Sequence, residues 1–383
     1  MTNENVFYGN ETLPTEIRSR YVNNNNGLDV HILEAGFGAA GRPCVLLLHG
    51  FPELSYSWRK VMPVLAHAGF HVVAPDQRGY GRTTGWDGTY DGDVASFRFM
   101  NLVKDTIGLV FALGYRTVAG VVGHDFGSPV AAWCSLIRPD IFRSVVMMSA
   151  PFGGPPILPF DTDKNPGPSE RAEPDIHDTL SKLSRPRKHY QWYYSTRDAN
   201  DDMSNCPQGV HDFLRAYYHF KSADWKGNMP FPLTSWSAEE LAKLPNYYIM
   251  DKDSGMADTV AAEMPSPSEI AACKWLTDED LSVYSGEYAR TGFQGGLNWY
   301  RCQTDPQYST DLKLFSDKTI DVPSCFVSGS SDWGAFQRPG AIDRMKTLAC
   351  TNFRDVHLLD GAGHWVQQEQ PDQVSKILLN HFG

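Results

Sequence analysis

Apolar residues in this chain gather into short runs of strand length that alternate with stretches of helical spacing. Residues 44–49 and His71–Pro75 are two such runs, dense enough for strands buried on both faces, with a helical stretch over 58–68 between them. Farther on, apolar positions at 99, 102, 103, 107, 110 and 113 recur on one helical face, and Gly114 ends the pattern. Residues 118–123 then read as a strand, 129–137 as a helix and 144–148 as a strand. Ahead of all these, 17–22 and 28–33 flank Asn26-Gly27, a pair that tolerates positive φ and so predicts a hairpin. The alternation over about 40–150 predicts consecutive strand–helix–strand units on a mostly parallel sheet.

From Pro151 to Asp317 the pattern changes. Residues 155–174 carry six prolines and predict a loop. Amphipathic helices are predicted over 176–194, 209–220, 238–244, 266–276 and Asp278–Thr291, with no convincing strand among them. After Asp321 the alternation returns: a strand over 322–328, a helix over 338–348 and a strand over 356–359. A last helix starts at Pro371, a residue suited to the first helical turn. The chain therefore reads as an α/β core, residues 1–150 and 318–383, interrupted by a helical cap over 151–317.

Composition narrows the function classes. The 34 Lys+Arg against 45 Asp+Glu leave a net charge of −11, which argues against a nucleic-acid-binding surface. The seven Cys are an odd number with no C-x-x-C spacing, so neither a disulfide framework nor a zinc site is expected. No apolar run approaches the ~20 residues of a membrane span. Residues 1–20 are polar and show no secretory segment, so a cytoplasmic enzyme is expected. Oligomeric state is not legible. The 17 Tyr and 10 Trp are an aromatic excess, much of it in the inserted segment.

Candidate chemistry begins at Gly123-His124-Asp125-Phe126-Gly127, placed where a strand ends and a helix starts. This is the G-x-nucleophile-x-G turn with Asp125 in the nucleophile position. The glycines are required because the turn is tight, and the helix N-terminus favours a negative charge there. Alone, the string is equally an aspartate capping a helix. Its partners change that reading. Asp332 follows a late strand, and His364 lies in Gly361-Ala362-Gly363-His364-Trp365 after the next one, in the chain order of acid and base. His49-Gly50-Phe51-Pro52-Glu53 follows the first long buried strand, where the amide of Phe51 would join that of Phe126 in an oxyanion hole.

With these strings the chain resembles the α/β-hydrolase superfamily and, within it, the epoxide hydrolases, over nearly its whole length. Further matching strings are Asp-Gln-Arg-Gly-Tyr-Gly at 76–81 and Gly-Phe-Gln-Gly-Gly-Leu-Asn-Trp-Tyr-Arg at 292–301. The resemblance implies a central, mostly parallel sheet with an inserted helical cap, and needs no metal or cofactor. It implies attack by Asp125 on a small apolar epoxide, and hydrolysis of the resulting ester by water that His364 activates with Asp332 behind it. Two cap tyrosines would hold the epoxide oxygen: Tyr284, upstream of the Gly-Phe-x-Gly string, and Tyr190 of the Tyr190-Gln191 pair, with Tyr193 competing for the second place. Gln191, Tyr193, Trp299, Trp333 and Trp365 are the expected pocket lining. Phe126 departs from the Trp many relatives carry, which weakens a haloalkane or haloacid dehalogenase reading because Phe offers no halide donor. The same triad would also serve a biosynthetic enzyme, and the same pocket a non-catalytic ligand-binding homologue.

Overall fold

The apolar runs form the middle of one eight-stranded sheet. The computed structural model describes residues 12–23, 26–156 and 175–383, and most of the proline-rich loop predicted over 155–174 lies outside them. The strands are β1 (Ile17–Asn23), β2 (Asp29–Ala35), β3 (Cys44–Leu48), β4 (His71–Pro75), β5 (Gly120–His124), β6 (Val145–Met148), β7 (Arg187–His189), β8 (Ile249–Asp251), β9 (Ser324–Gly329) and β10 (Phe353–Leu359). The large sheet has the order β1-β2-β4-β3-β5-β6-β9-β10. The β1–β2 hairpin is antiparallel with Asn23 opposite Asp29, β2 is antiparallel to β4, and every later pair is parallel.

β3, β5 and β6 are buried along their whole length, with Val, Leu and Met filling most of β3 and β6 and glycines, two valines and His124 making up β5. Each fully buried side chain of this kind contributes about 1.5–3 kcal/mol. Helices Phe99–Ala112 and Gly127–Ile137 pack on each other and on the sheet. The connections diverge on either side of β3, which lies between β4 and β5. That arrangement opens a crevice beyond the carboxyl ends of the strands.

Three expectations need correction. The predicted helix over 176–194 is two helices, Ile176–Ser181 and Tyr190–Tyr194, separated by β7, which pairs antiparallel with β8. Three-residue strands are too short to show a period-two pattern, and their partner lies far along the chain. The predicted helix over 338–348 is a single turn, Ala341–Arg344, continued by a wider π-type turn, Met345–Ala349. Val118 lies ahead of β5 and only bridges to Phe142.

The inserted segment closes over the crevice through polar contacts as well as packing. The Tyr218 hydroxyl donates to the Pro52 carbonyl at 2.9 Å, and the Tyr288 hydroxyl to the Glu53 carbonyl at 3.1 Å. The Trp365 indole donates to the Tyr218 carbonyl at 2.8 Å, and Arg59 pairs with Asp280 at 2.9 Å. No helix among the described residues is long and apolar enough to cross a membrane.

Candidate active site

Loops at the carboxyl ends of β3, β5, β9 and β10 bring the charged residues of the site together. Asp125 leaves β5 with φ 50°, in the left-handed region. For a non-glycine residue that conformation costs on the order of 1–3 kcal/mol, held by the surrounding packing. The turn has no room for side chains: a Cβ on Gly123 would meet the Gly127 carbonyl oxygen at 2.0 Å. The amide of Phe51 donates to Asp125 Oδ1 at 2.9 Å. A methyl on Gly50 would stand 2.4 Å from that same Oδ1 and 2.7 Å from the Phe126 nitrogen, so the Phe126 amide lies close by, while the Phe51 amide is the one hydrogen-bonded to Asp125 among the described residues.

The other oxygen, Oδ2, lies 3.2 Å from Nε2 of His364, without the alignment of a hydrogen bond. Nδ1 of His364 lies 3.0 Å from Asp332 Oδ1. Asp332 in turn accepts from the Gly334 amide at 2.7 Å and the Ser328 hydroxyl at 2.9 Å. An acceptor fixed in this way keeps the imidazole proton on Nδ1 and leaves Nε2 as the base. Burial pushes the Asp125 carboxyl up, yet the close approach of the His364 ring, with the charges of Lys221 and His124, holds it well below the usual carboxylate range. Asp332 is likewise held down against burial, by His364 first.

Behind Asp125 sits a pair whose two members each lie in a quoted string but to which the sequence alone assigns no role. Nδ1 of His124 faces Glu53 Oε2, and its Nε2 donates to the His364 carbonyl at 2.7 Å. Both ring nitrogens meet acceptors, which is the geometry of an imidazolium. Burial works against that charge, and the attraction and hydrogen bond of Glu53 outweigh it, raising the His124 pKa.

The tyrosines differ from expectation. Tyr190 is buried facing the site, with its hydroxyl 3.2 Å from Gln191 Nε2, which donates to it. Burial and then the Asp125 charge raise its pKa. Tyr284 is not aimed at Asp125. Its hydroxyl is bound by Ser57 at 2.8 Å and donates to Gln368 at 3.1 Å, and its ring packs on Tyr56 and Tyr218. Tyr193 is also turned away, with its hydroxyl on Asp202 and on the Met256 amide. The tyrosine that stands with Tyr190 is Tyr300, from helix Gln294–Thr304. Its ring lies 5.0 Å from Phe126, 5.5 Å from Phe51 and 6.0 Å from Tyr190, and after burial the Asp125 charge is the main influence on its hydroxyl. Tyr300 lies inside the Asn298-Trp299-Tyr300-Arg301 string, so the signal was in the sequence but attached to the wrong tyrosine.

The remaining expected residues fall as follows. Trp365 flanks His364 with ring centres 4.8 Å apart. Trp299 packs edge-on against Phe126 at 5.2 Å, and its indole donates to the Arg78 carbonyl. Trp333 is buried beside Asp332 and touches Phe231 at 5.0 Å.

The α/β-hydrolase fold family model matches residues 43–241. Epoxide hydrolase A of Mycobacterium tuberculosis is 33% identical over 356 residues, covering 92% of this chain and 94% of that protein. Epoxide hydrolase 3 of Siraitia grosvenorii is 30% identical over 361 residues, covering 92% of this chain and 94% of its own. The solved structure of an epoxide hydrolase from an endophytic Streptomyces aligns with TM-score 0.74 at 31% identity, covering 96% of this chain and 95% of that one. With the fold, the turn at Asp125 and these relatives in agreement, the chain belongs to the α/β-hydrolase family and, within it, to the epoxide hydrolases.

Proposed function

We propose that this enzyme opens small apolar epoxides to vicinal diols through an ester on Asp125. The observation that carries the reading is the division of labour between the two Asp125 oxygens: Oδ1 is held by the Phe51 amide, and Oδ2 faces His364. Oδ2 attacks one oxirane carbon as the ring carbon–oxygen bond breaks. The released oxygen takes a proton from Tyr190 or Tyr300, whose hydroxyls replace the acid that water would otherwise supply. His364 then removes a proton from water, and the hydroxide adds to the ester carbonyl carbon. Charge collects on Oδ1, where the Phe51 and Phe126 amides stabilise it, a role worth about 3–4 kcal/mol per donor. Collapse expels the diol, whose oxygen takes the proton from His364; Asp125, left as the acid carrying the hydroxide's proton, gives that proton up to solvent and returns to a carboxylate, and the tyrosine regains its own from solvent.

The inserted segment 151–317 acts in this scheme as the lid that carries Tyr190 and Tyr300. The cytoplasm as its compartment fits seven free cysteines, six of them buried. Halide chemistry is less well served, because Phe126 has no donor and the Trp299 indole is already spent on Arg78. A single turnover in heavy-oxygen water tests the scheme. Label is expected in Asp125 and not in the diol; label passing directly into the diol would remove the covalent step.

A further inference from the structure

Lys221, the last residue of helix Gly209–Lys221, is a buried cation that the reaction as written does not use. It is 3% exposed, and its ammonium has no hydrogen-bond acceptor or ion pair among the described residues. Aromatic rings take their place: Nζ lies 5.4 Å from the ring centre of Tyr217, 5.8 Å from Tyr247, 5.2 Å from Tyr248 and 5.4 Å from Trp365. Such rings attract a cation through their quadrupole.

The cage is joined to the catalytic histidine. The backbone amide of His364 donates to the Lys221 carbonyl at 2.9 Å, and Trp365 supplies one cage wall. Glu369 clamps the same junction, accepting from the amides of Ala223, Gly363 and Trp365 at 2.8, 2.9 and 3.0 Å. Burial lowers the Lys221 pKa, and the charges of Asp125, then Asp332, then Glu53 oppose that shift. The phenols of Tyr217, Tyr247 and Tyr248 are the other titratable groups against it.

We propose that Lys221 is a positioning residue for the second half of the reaction, an ammonium caged by aromatic rings whose field favours negative charge on Asp125. The sign follows from where charge moves. In ring opening, negative charge leaves Asp125 for the substrate oxygen, so a fixed cation near Asp125 gives that step no help through this carboxylate. In ester hydrolysis, charge returns to the Asp125 oxygens, first as the tetrahedral oxyanion and then as the free carboxylate. The same cation assists that step. Low-dielectric surroundings enlarge the effect.

This inference rests on the ester scheme above, and the test separates the two. Lys221→Met and Lys221→Arg are compared with wild type by single-turnover kinetics on a neutral epoxide, with intact-mass measurement of the ester. Lys221→Met is expected to keep ester formation and to slow ester breakdown about ten- to hundredfold, the scale of a unit charge about 6–12 Å away at an effective dielectric of about 20. Ester then accumulates in the steady state, and kcat falls more than kcat/KM. Lys221→Arg should restore breakdown in large part. Equal slowing of both steps, or slowing of ring opening alone, overturns the role for Lys221. Ester absent from both Lys221→Met and His364→Ala overturns the ester scheme itself. A poorly folded Lys221→Met shifts the test to Lys221→Arg and Lys221→Gln, where unchanged breakdown in Lys221→Gln overturns the proposal.

Discussion

Nε2 of His364 lies 3.2 Å from Oδ2 of Asp125, while its Nδ1 lies 3.0 Å from Asp332. One ring thus joins the carboxylate that forms the ester in the proposed scheme to the carboxylate that stays ionised in it. The two acids are distinguished by surroundings: Asp332 accepts from a backbone amide and a hydroxyl besides His364, whereas Asp125 Oδ2 faces only the base.

Asp332→Asn should therefore damage hydrolysis more than ring opening. Losing the acceptor on Nδ1 releases the histidine tautomer, and comparable changes lower kcat by about 10⁴-fold. Stopped-flow measurement should show a preserved first phase and a slow second one. Loss of the first phase would mean that Asp332 supports the nucleophile instead.

The tyrosines predict a sharp contrast. Tyr190→Phe and Tyr300→Phe should each slow ring opening by about 10²-fold, the usual scale of a positioned acid. Tyr284→Phe should leave ring opening near wild type. It removes a hydroxyl bound by Ser57 and Gln368, so about 1–3 kcal/mol of stability is lost instead. Single-turnover rates and denaturant midpoints on all three variants separate the outcomes; a ring-opening defect in Tyr284→Phe would restore it to the site.

Gly50→Ala tests the oxyanion loop. Its methyl would stand 2.4 Å from both Cβ and Oδ1 of Asp125, so the loop must shift and the Phe51 amide with it. A loss of about 10²-fold or more in kcat is expected. Structural overpacking should cost about 1–3 kcal/mol, read as a lower melting temperature. Wild-type kcat would show that the Phe51 amide is not needed.

Acid stability is predicted to depend on Glu34. Burial pushes its pKa up, but His71, Arg20 and Arg18 outweigh burial and bring it from 4.5 to about 2. A depressed folded-state pKa stabilises above the unfolded value and is lost as pH falls through the folded one. Glu34→Gln should thus be less stable than wild type above about pH 4.5, and the gap should close toward about pH 2. Chemical unfolding across that window measures it; a constant gap would refute the ionic account.

Local signals carried far in this chain. Strand-length apolar runs at β3, β4, β5 and β6 were legible because side chains buried on both faces must be apolar at every position. Asp125, Asp332 and His364 were legible because each follows a strand in the order this chemistry requires. The β7–β8 pair was not, because its strands are three residues long and show no periodic pattern, and the Glu53–His124 contact was not, because it joins two separately legible strings 71 positions apart.

By itself, the sequence determined the class of sheet, the inserted helical segment, the nucleophile turn and the expectation of an aromatic lid. Tertiary structure alone decided which tyrosine faces Asp125. Tyr284 and Tyr300 lie on consecutive helices, Asp278–Thr291 and Gln294–Thr304, and nothing in their composition says which helix face meets the crevice. Packing settles it: Tyr284 meets Ser57 and Gln368, and Tyr300 meets Phe51 and Phe126. Lys221 is the same case, an ordinary helix-ending lysine in sequence whose burial among aromatic rings arises only from packing against the loop that carries His364 and Trp365.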